Sequence, residues 1–211
     1  HEGIIVTSEA YHGNSELTSG FSPSMGENSR LGTWVRRISA PDTYRVDTDD
    51  MGGWLAAQVT EQIRDLERCG QGLAAFVVDS LFSSDGIFAH SHGILEPVLK
   101  VVRDAGGIFV ADEVQCGFAR TGSHMWGYQR HGVVPDIVSM GKPMGNGYPV
   151  AGIAVRPEVA SKFGHDMRYF NTFGGNTVAM AAANATLEVL QDENLIANSR
   201  VVGKKMLSSL N

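Results

Sequence analysis

Cysteine is scarce in this sequence. Cys69 and Cys116 are its two cysteines, too few and too unpatterned for a disulfide framework or a thiolate metal site, so reduced thiols are expected. Long apolar runs are missing as well: the longest, such as Leu73 to Val78 and Gly107 to Ala111, fall far short of the roughly 20 residues that a membrane-spanning helix needs. There is no basic run, and 17 basic against 23 acidic residues leave a formal charge of -6. Nucleic acid and anionic membrane surfaces are therefore poor partners, and small-molecule chemistry is the better expectation. No signal sequence with a charged start and apolar middle opens the chain, which makes the cytoplasm the expected compartment. No Gly-x-Gly-x-x-Gly turn joins a strand to a helix, which counts against a nicotinamide-dependent oxidoreductase.

What is present is ample core material, 43% hydrophobic over 211 residues, arranged in a repeating rhythm. Ile4 to Ser8 reads as a short strand that stops at Gly13, and Ser15 to Leu17 as a helix start. Ser19 to Arg30 has no period and reads as a loop, and Thr33 to Ile38 as a second strand. Asp50 to Arg68 carries Trp54, Leu55, Val59, Ile63 and Leu66 at helical spacing, with Asp49 or Asp50 as N-cap and Gly70 just past the end. Leu73 to Val78 is continuously apolar, as in a parallel strand buried on both faces, and ends in Asp79. A covering helix over Gly93 to Ala105 follows, tolerating Pro97 in its first turn. Gly107 to Ala111 and Ile137 to Met140 are the next two strands. The short link to Val150 through Val155 suits an antiparallel neighbour, because a parallel return needs a long crossover. Helices are expected over Pro157 to Phe163 and Thr177 to Leu190. The fold class is therefore α/β, a mostly parallel sheet with helices on both faces and one antiparallel strand.

Asp112 and Lys142 stand just past two neighbouring strands, at the end of the sheet where open α/β folds bind ligands. Alone, Asp112 reads equally well as a cap for the following turn, and Lys142 as a surface lysine. Lys142, however, is preceded by Gly141 and followed by Pro143 and the loop Gly145-Asn146-Gly147, where backbone is held close. A partly desolvated lysine loses its proton and attacks an aldehyde, and a buried carboxylate is what a pyridinium nitrogen requires. The pair points to pyridoxal 5'-phosphate. The glycine loop is not a P-loop, since its lysine precedes the glycines. His90 and His92 form a pair without a third and fourth ligand at useful spacing, so no metal is expected. By residue type alone, Tyr11 fits a core aromatic as well as a stacking plate, and Gln115 and Thr172 are ordinary polar loop residues.

The stretches AYHG from Ala10, ADEVQCGFARTG from Ala111, PDIVSMGKPMGNGYPV from Pro135 and YFNTFGGN from Tyr169 resemble successive motifs of the class-III aminotransferases, pyridoxal-phosphate enzymes of fold type I. The likeness runs in register from about Ile4 to the end. It is strongest to the branch with alanine-glyoxylate aminotransferase-like enzymes and the phospho-lyases of phosphoethanolamine and phosphohydroxylysine. The resemblance implies that Lys142 forms the Schiff base and moves the substrate proton, and that Asp112 keeps the ring nitrogen protonated. It also implies that Tyr11 stacks on one ring face, Val114 packs on the other, Gln115 binds the ring hydroxyl and His12 lines the same wall. Thr172 would reach the cofactor phosphate of the neighbouring subunit, which makes a homodimer part of the site. Asp79, where the family more often has Glu, would support another site residue or touch the substrate side. The implied substrates are an amino donor and a keto-acid acceptor, with elimination of phosphate and ammonia as the rival reaction. The family's phosphate-binding loop before the AYHG strand and its arginine-bearing small domain have no counterpart here. Residues 1–211 are therefore expected to form most of a cofactor-binding large domain, and a catalytically incomplete fragment is a further reading.

Overall fold

In the computed structural model, residues 1–26, 28–89 and 92–210 are described; His90, of the expected histidine pair, lies outside them. The chain forms β1 (Gly3–Thr7), the one-turn α1 (Glu16–Ser19), β2 (Val35–Ile38), α2 (Met51–Arg68), β3 (Leu73–Val78), α3 (Leu95–Asp104), β4 (Ile108–Asp112), β5 (Ile137–Met140), β6 (Gly152–Val155), α4 (Pro157–Asp166), α5 (Thr177–Asp192) and α6 (Leu195–Leu210). One six-stranded sheet runs in the order β2-β1-β3-β4-β5-β6. Every neighbouring pair is parallel except β5 and β6, which are antiparallel. The expected fold class is the observed one.

Local chemistry explains the longest helix in the sheet's cover. The Asp50 side chain accepts the Gly53 N–H at 2.8 Å, satisfying one of the donors that the first turn of α2 leaves open. At the other end Gly70 adopts φ +73 and the Gln71 N–H returns to the Leu66 carbonyl at 2.9 Å, which closes the helix. Between these caps Leu55, Val59, Ile63 and Leu66 fall on one buried face. Leu95, Val98, Leu99 and Val102 do the same for α3.

The strands alternate accordingly. Ile5, Phe76, Val78, Phe109 and Ala111 belong to one cluster with α2 and α3, while Val6, Ala75 and Val77 turn to a smaller cluster with Phe21, Leu31 and Trp34 of the β1–β2 connection. Helical cover is thus uneven. The two best-buried helices share one face, and the connection that contains α1 supplies residues to the other. Among the described residues no helix is long and apolar enough to cross a membrane. The β4–β5 register sets Asp112 directly beside Ser139, so both strands deliver their last residues to one edge.

Candidate active site

Asp112 ends β4 and is 8% exposed. Its Oδ1 accepts the Val114 N–H at 3.1 Å and the Ser139 hydroxyl at 2.9 Å. Its Oδ2 lies 2.8 Å from His12 Nδ1 and has no other side-chain or backbone partner among the described residues. Burial alone would raise this carboxyl, but the His12 hydrogen bond and charge, with the Val114 and Ser139 donors, outweigh it and hold Asp112 below its ordinary range. Asp112 is therefore a carboxylate with a lone pair left on Oδ2.

The segment after β1 carries His12 to that carboxylate. Buried Ser22 accepts the His12 N–H at 2.9 Å and donates to the Thr18 carbonyl at 2.7 Å, which closes the loop on itself. The His12 ring lies 5.9 Å from Phe21, and its Nε2 is buried without a partner among the described residues. Tyr11, one residue earlier, is 42% exposed, which removes the alternative of a core aromatic.

Lys142 follows β5 by two residues, opens a 3-10 turn over Lys142–Gly145 and is exposed, not partly desolvated as expected from the sequence. Its φ of +33 is uncommon for a residue with a side chain. Gly145, closing that turn, is required sterically: a Cβ there would stand 2.6 Å from a Val150 methyl. Lys142, Val114 and Gln115 line one cavity of about 590 Å³. A ring nitrogen that carries a proton suits the open Oδ2 of Asp112, and an aldehyde suits an accessible amine, so these residues fit pyridoxal phosphate.

Tyr11, His12 and Asp112 are not among the residues that line the Lys142 cavity, and Thr172 and Asp79 lie outside its lining as well. Thr172 is exposed in the turn before α5, where the Asn171 side chain caps Phe173 and Gly174, and it does not line the cavity of Lys142 in its own chain. Asp79 accepts the Leu81 N–H at 2.9 Å and the Ser83 N–H at 3.0 Å, so both of its oxygens serve the turn after β3.

Others escaped the sequence reading. Ser139 is found only through the strand register. Glu113 is fully buried; it accepts the Gly127 N–H at 2.7 Å, the Tyr128 N–H at 2.9 Å and the Ser80 hydroxyl at 3.0 Å. Burial pushes its carboxyl up against the pull of these donors. It ties the segment that carries Val114 and Gln115 to the end of β3. A carboxylate next to Asp112 in sequence was the available signal.

The whole chain, residues 1–211, matches the family model for aminotransferase class-III. It is 43% identical to the Homo sapiens protein named alanine-glyoxylate aminotransferase 2, mitochondrial, over 97% of this chain and 44% of that protein. Identity to the Caenorhabditis elegans protein named ethanolamine-phosphate phospho-lyase homolog 1 is 36%, over 98% of this chain and 48% of the relative. A solved structure of a phospholyase from Arthrobacter in complex with phosphoethanolamine superposes with a TM-score of 0.91 at 38% identity, over 99% of this chain and 51% of that one. The chain spans about half the length of these relatives. With a family match over every residue and this fold, the chain belongs to the class-III aminotransferases, fold-type-I enzymes whose cofactor is pyridoxal phosphate.

Proposed function

We propose that this chain carries the cofactor-linked lysine and the ring-nitrogen carboxylate of an aminotransferase, which moves an amino group between an amine or amino acid and a keto acid. The observation that carries the reading is Asp112, a buried carboxylate kept ionised at the tip of β4, on a strand paired with the one that leads to Lys142. Bound there, pyridoxal phosphate supplies an aldehyde for an amine and a ring that draws electrons from the amine-bearing carbon. Asp112 Oδ2 would accept the ring N–H, and the His12 bond holds that carboxylate in orientation. Lys142 Nζ would hold the cofactor aldehyde and, as a free amine, would carry the proton to and from the substrate carbon. Val114 and Tyr11 would flank the ring, and Gln115 would bind the ring hydroxyl. Thr172 serves the phosphate held by a neighbouring subunit, so a homodimer belongs to the proposal. Cytoplasm is the proposed compartment; fractionation of cells tests it against the mitochondrion in which the human relative is named.

Adding pyridoxal phosphate, reducing with borohydride and mapping the modified peptide tests the assignment. An adduct on Lys142 is expected. An adduct on a peptide without Lys142 overturns it, and no adduct at all favours an inactive fragment.

A second reading is favoured by one observation. Two arginines, Arg120 and Arg130, line the cavity of Lys142, and no described carboxylate lies within ion-pair distance of either. They suit the phosphate of an amino alcohol phosphate, from which the same carbon chemistry would expel phosphate and ammonia. Release of phosphate from phosphoethanolamine with no keto acid present would establish elimination; a strict need for a keto acid would establish transfer.

A further inference from the structure

We infer that Ile87 is a specificity-determining residue, whose side chain gives the Lys142 cavity an apolar wall for the carbon chain of the substrate. The inference rests on the proposed cofactor site for where the substrate lies, and goes beyond it in assigning the residue that reads the chain.

Backbone conformation is the first observation. Ile87 has φ +61, a region that a β-branched residue enters only at a cost and that glycine occupies freely. Core packing does not offset that cost, because Ile87 is 64% exposed. Its neighbours impose the conformation. The N–H groups of Asp85, Gly86 and Ile87 converge on the carbonyl of buried Phe82, at 3.1, 3.1 and 3.0 Å. The Asp85 carboxylate accepts the Thr7 hydroxyl at 2.6 Å and the Glu9 N–H at 2.9 Å, which fastens the turn to the end of β1. On the other side Phe88 packs against the core shared with α2 and α3. Ile87 is thus held between anchored residues with its own side chain left outside. Strain kept at an exposed position, with no gain to the core, points to a contact made in function.

Placement is the second observation. Ile87 lines the same cavity as Lys142. Leu81, Ala89 and Val114 line it too, but Leu81 is buried and the other two are half-buried, so Ile87 is the exposed member of this apolar group. A short aliphatic chain moved from water onto such a surface gains about fourfold in affinity for each methylene that is fully covered. The substrate class that follows is an amine with an aliphatic chain beyond its amine-bearing carbon.

Ethylamine and n-butylamine test this, because they carry the same charge and differ only in chain length, so the cations of the cavity act on both alike. Binding to the holoenzyme is read as the change in cofactor absorbance. Wild type should prefer n-butylamine by about tenfold. Ile87→Gly should bring the preference to about twofold or less by weakening n-butylamine, and Ile87→Val, which keeps the branch, should hold most of it. Glycine also relieves the backbone, so Ile87→Gly should melt no lower than wild type. A preference unchanged in Ile87→Gly, an equal loss for both amines, or a wild type that takes neither amine or both alike overturns the inference. A lower melting temperature with the preference intact overturns it in favour of a purely structural residue. If wild type shows no cofactor absorbance, the cofactor assignment fails by itself. The wall is then decided by saturation-transfer NMR with butyrate: transfer to its methyl group that is lost in Ile87→Gly supports the wall, and transfer that is unchanged, or absent in wild type, overturns it.

Discussion

Asp112 shows how one residue's surroundings decide its chemistry. Burial works against its charge, and the hydrogen bonds to His12, Val114 and Ser139 overcome that opposition. Because the folded carboxyl titrates below its ordinary 3.8, the unfolded chain binds the proton first as pH falls. The stabilisation is thus complete above the ordinary value and is lost as pH drops through the folded one. Asp112→Asn keeps the shape and cannot ionise. In the protein without cofactor it should melt below wild type at neutral pH, and the gap should close between about pH 5 and pH 2. Melting curves across that range are the check. A gap that stays constant would mean that the carboxylate's charge does not contribute.

At the scale of elements, the segment after β4 is held by Glu113, and Gly127 is where that hold is tightest. A Cβ on Gly127 would stand 2.4 Å from Ser80 Oγ and 2.9 Å from both Cβ and Sγ of Cys116. Gly127→Ala should therefore separate the turn from β3, weaken the Glu113 bond and cost about 1–3 kcal/mol of stability by urea unfolding. Gly132→Ala is the contrast. Nothing lies within 4 Å of its Cβ position, but φ is +67, so about 1 kcal/mol of backbone strain is the whole expected effect. Equal losses at the two sites would refute the steric account. The same segment marks what sequence could and could not disclose. β3, β4 and α2 were legible because an unbroken apolar run, or a helical period between Asp50 and Gly70, is a local signal. Asp112 and Lys142 were legible because one stands at the end of a short strand and the other two residues past one. Ser139 as a partner of Asp112 was not, because strand register comes from packing between distant segments. Glu113 was missed for the same reason: its donors lie 14, 15 and 33 residues away. Both Asp79 oxygens accept N–H groups of the turn that follows β3, bonds that a strand-end position does not by itself disclose.

On the scale of the molecule, the two halves differ in what covers them. α2 alone buries seven residues, whereas α4 and α6 bury none and α5 buries only Ala179. Phe163, Tyr169, Phe170, Phe173, Leu207 and Leu210 are all more than half exposed, with Phe170 at 82% and Phe173 at 78%. From the sequence, helices are expected over Pro157 to Phe163 and Thr177 to Leu190, while α6 was not expected as a helix. Their exposure was not legible there, because amphipathic spacing marks a face to be covered without saying what covers it. Apolar surface on this scale marks association. This chain should therefore self-associate at micromolar concentration, and replacing Phe170 and Phe173 together by Ser should shift it towards monomer. Those two side chains are exposed, so the substitution removes no core contact and should leave the melting temperature of the sheet's core within a few degrees of wild type. Sedimentation velocity on both proteins decides the matter. A wild-type monomer would show that the exposed face does not bind itself. A wild-type dimer that persists in the double variant would assign association to α4 and α6 rather than to the turn that carries Thr172.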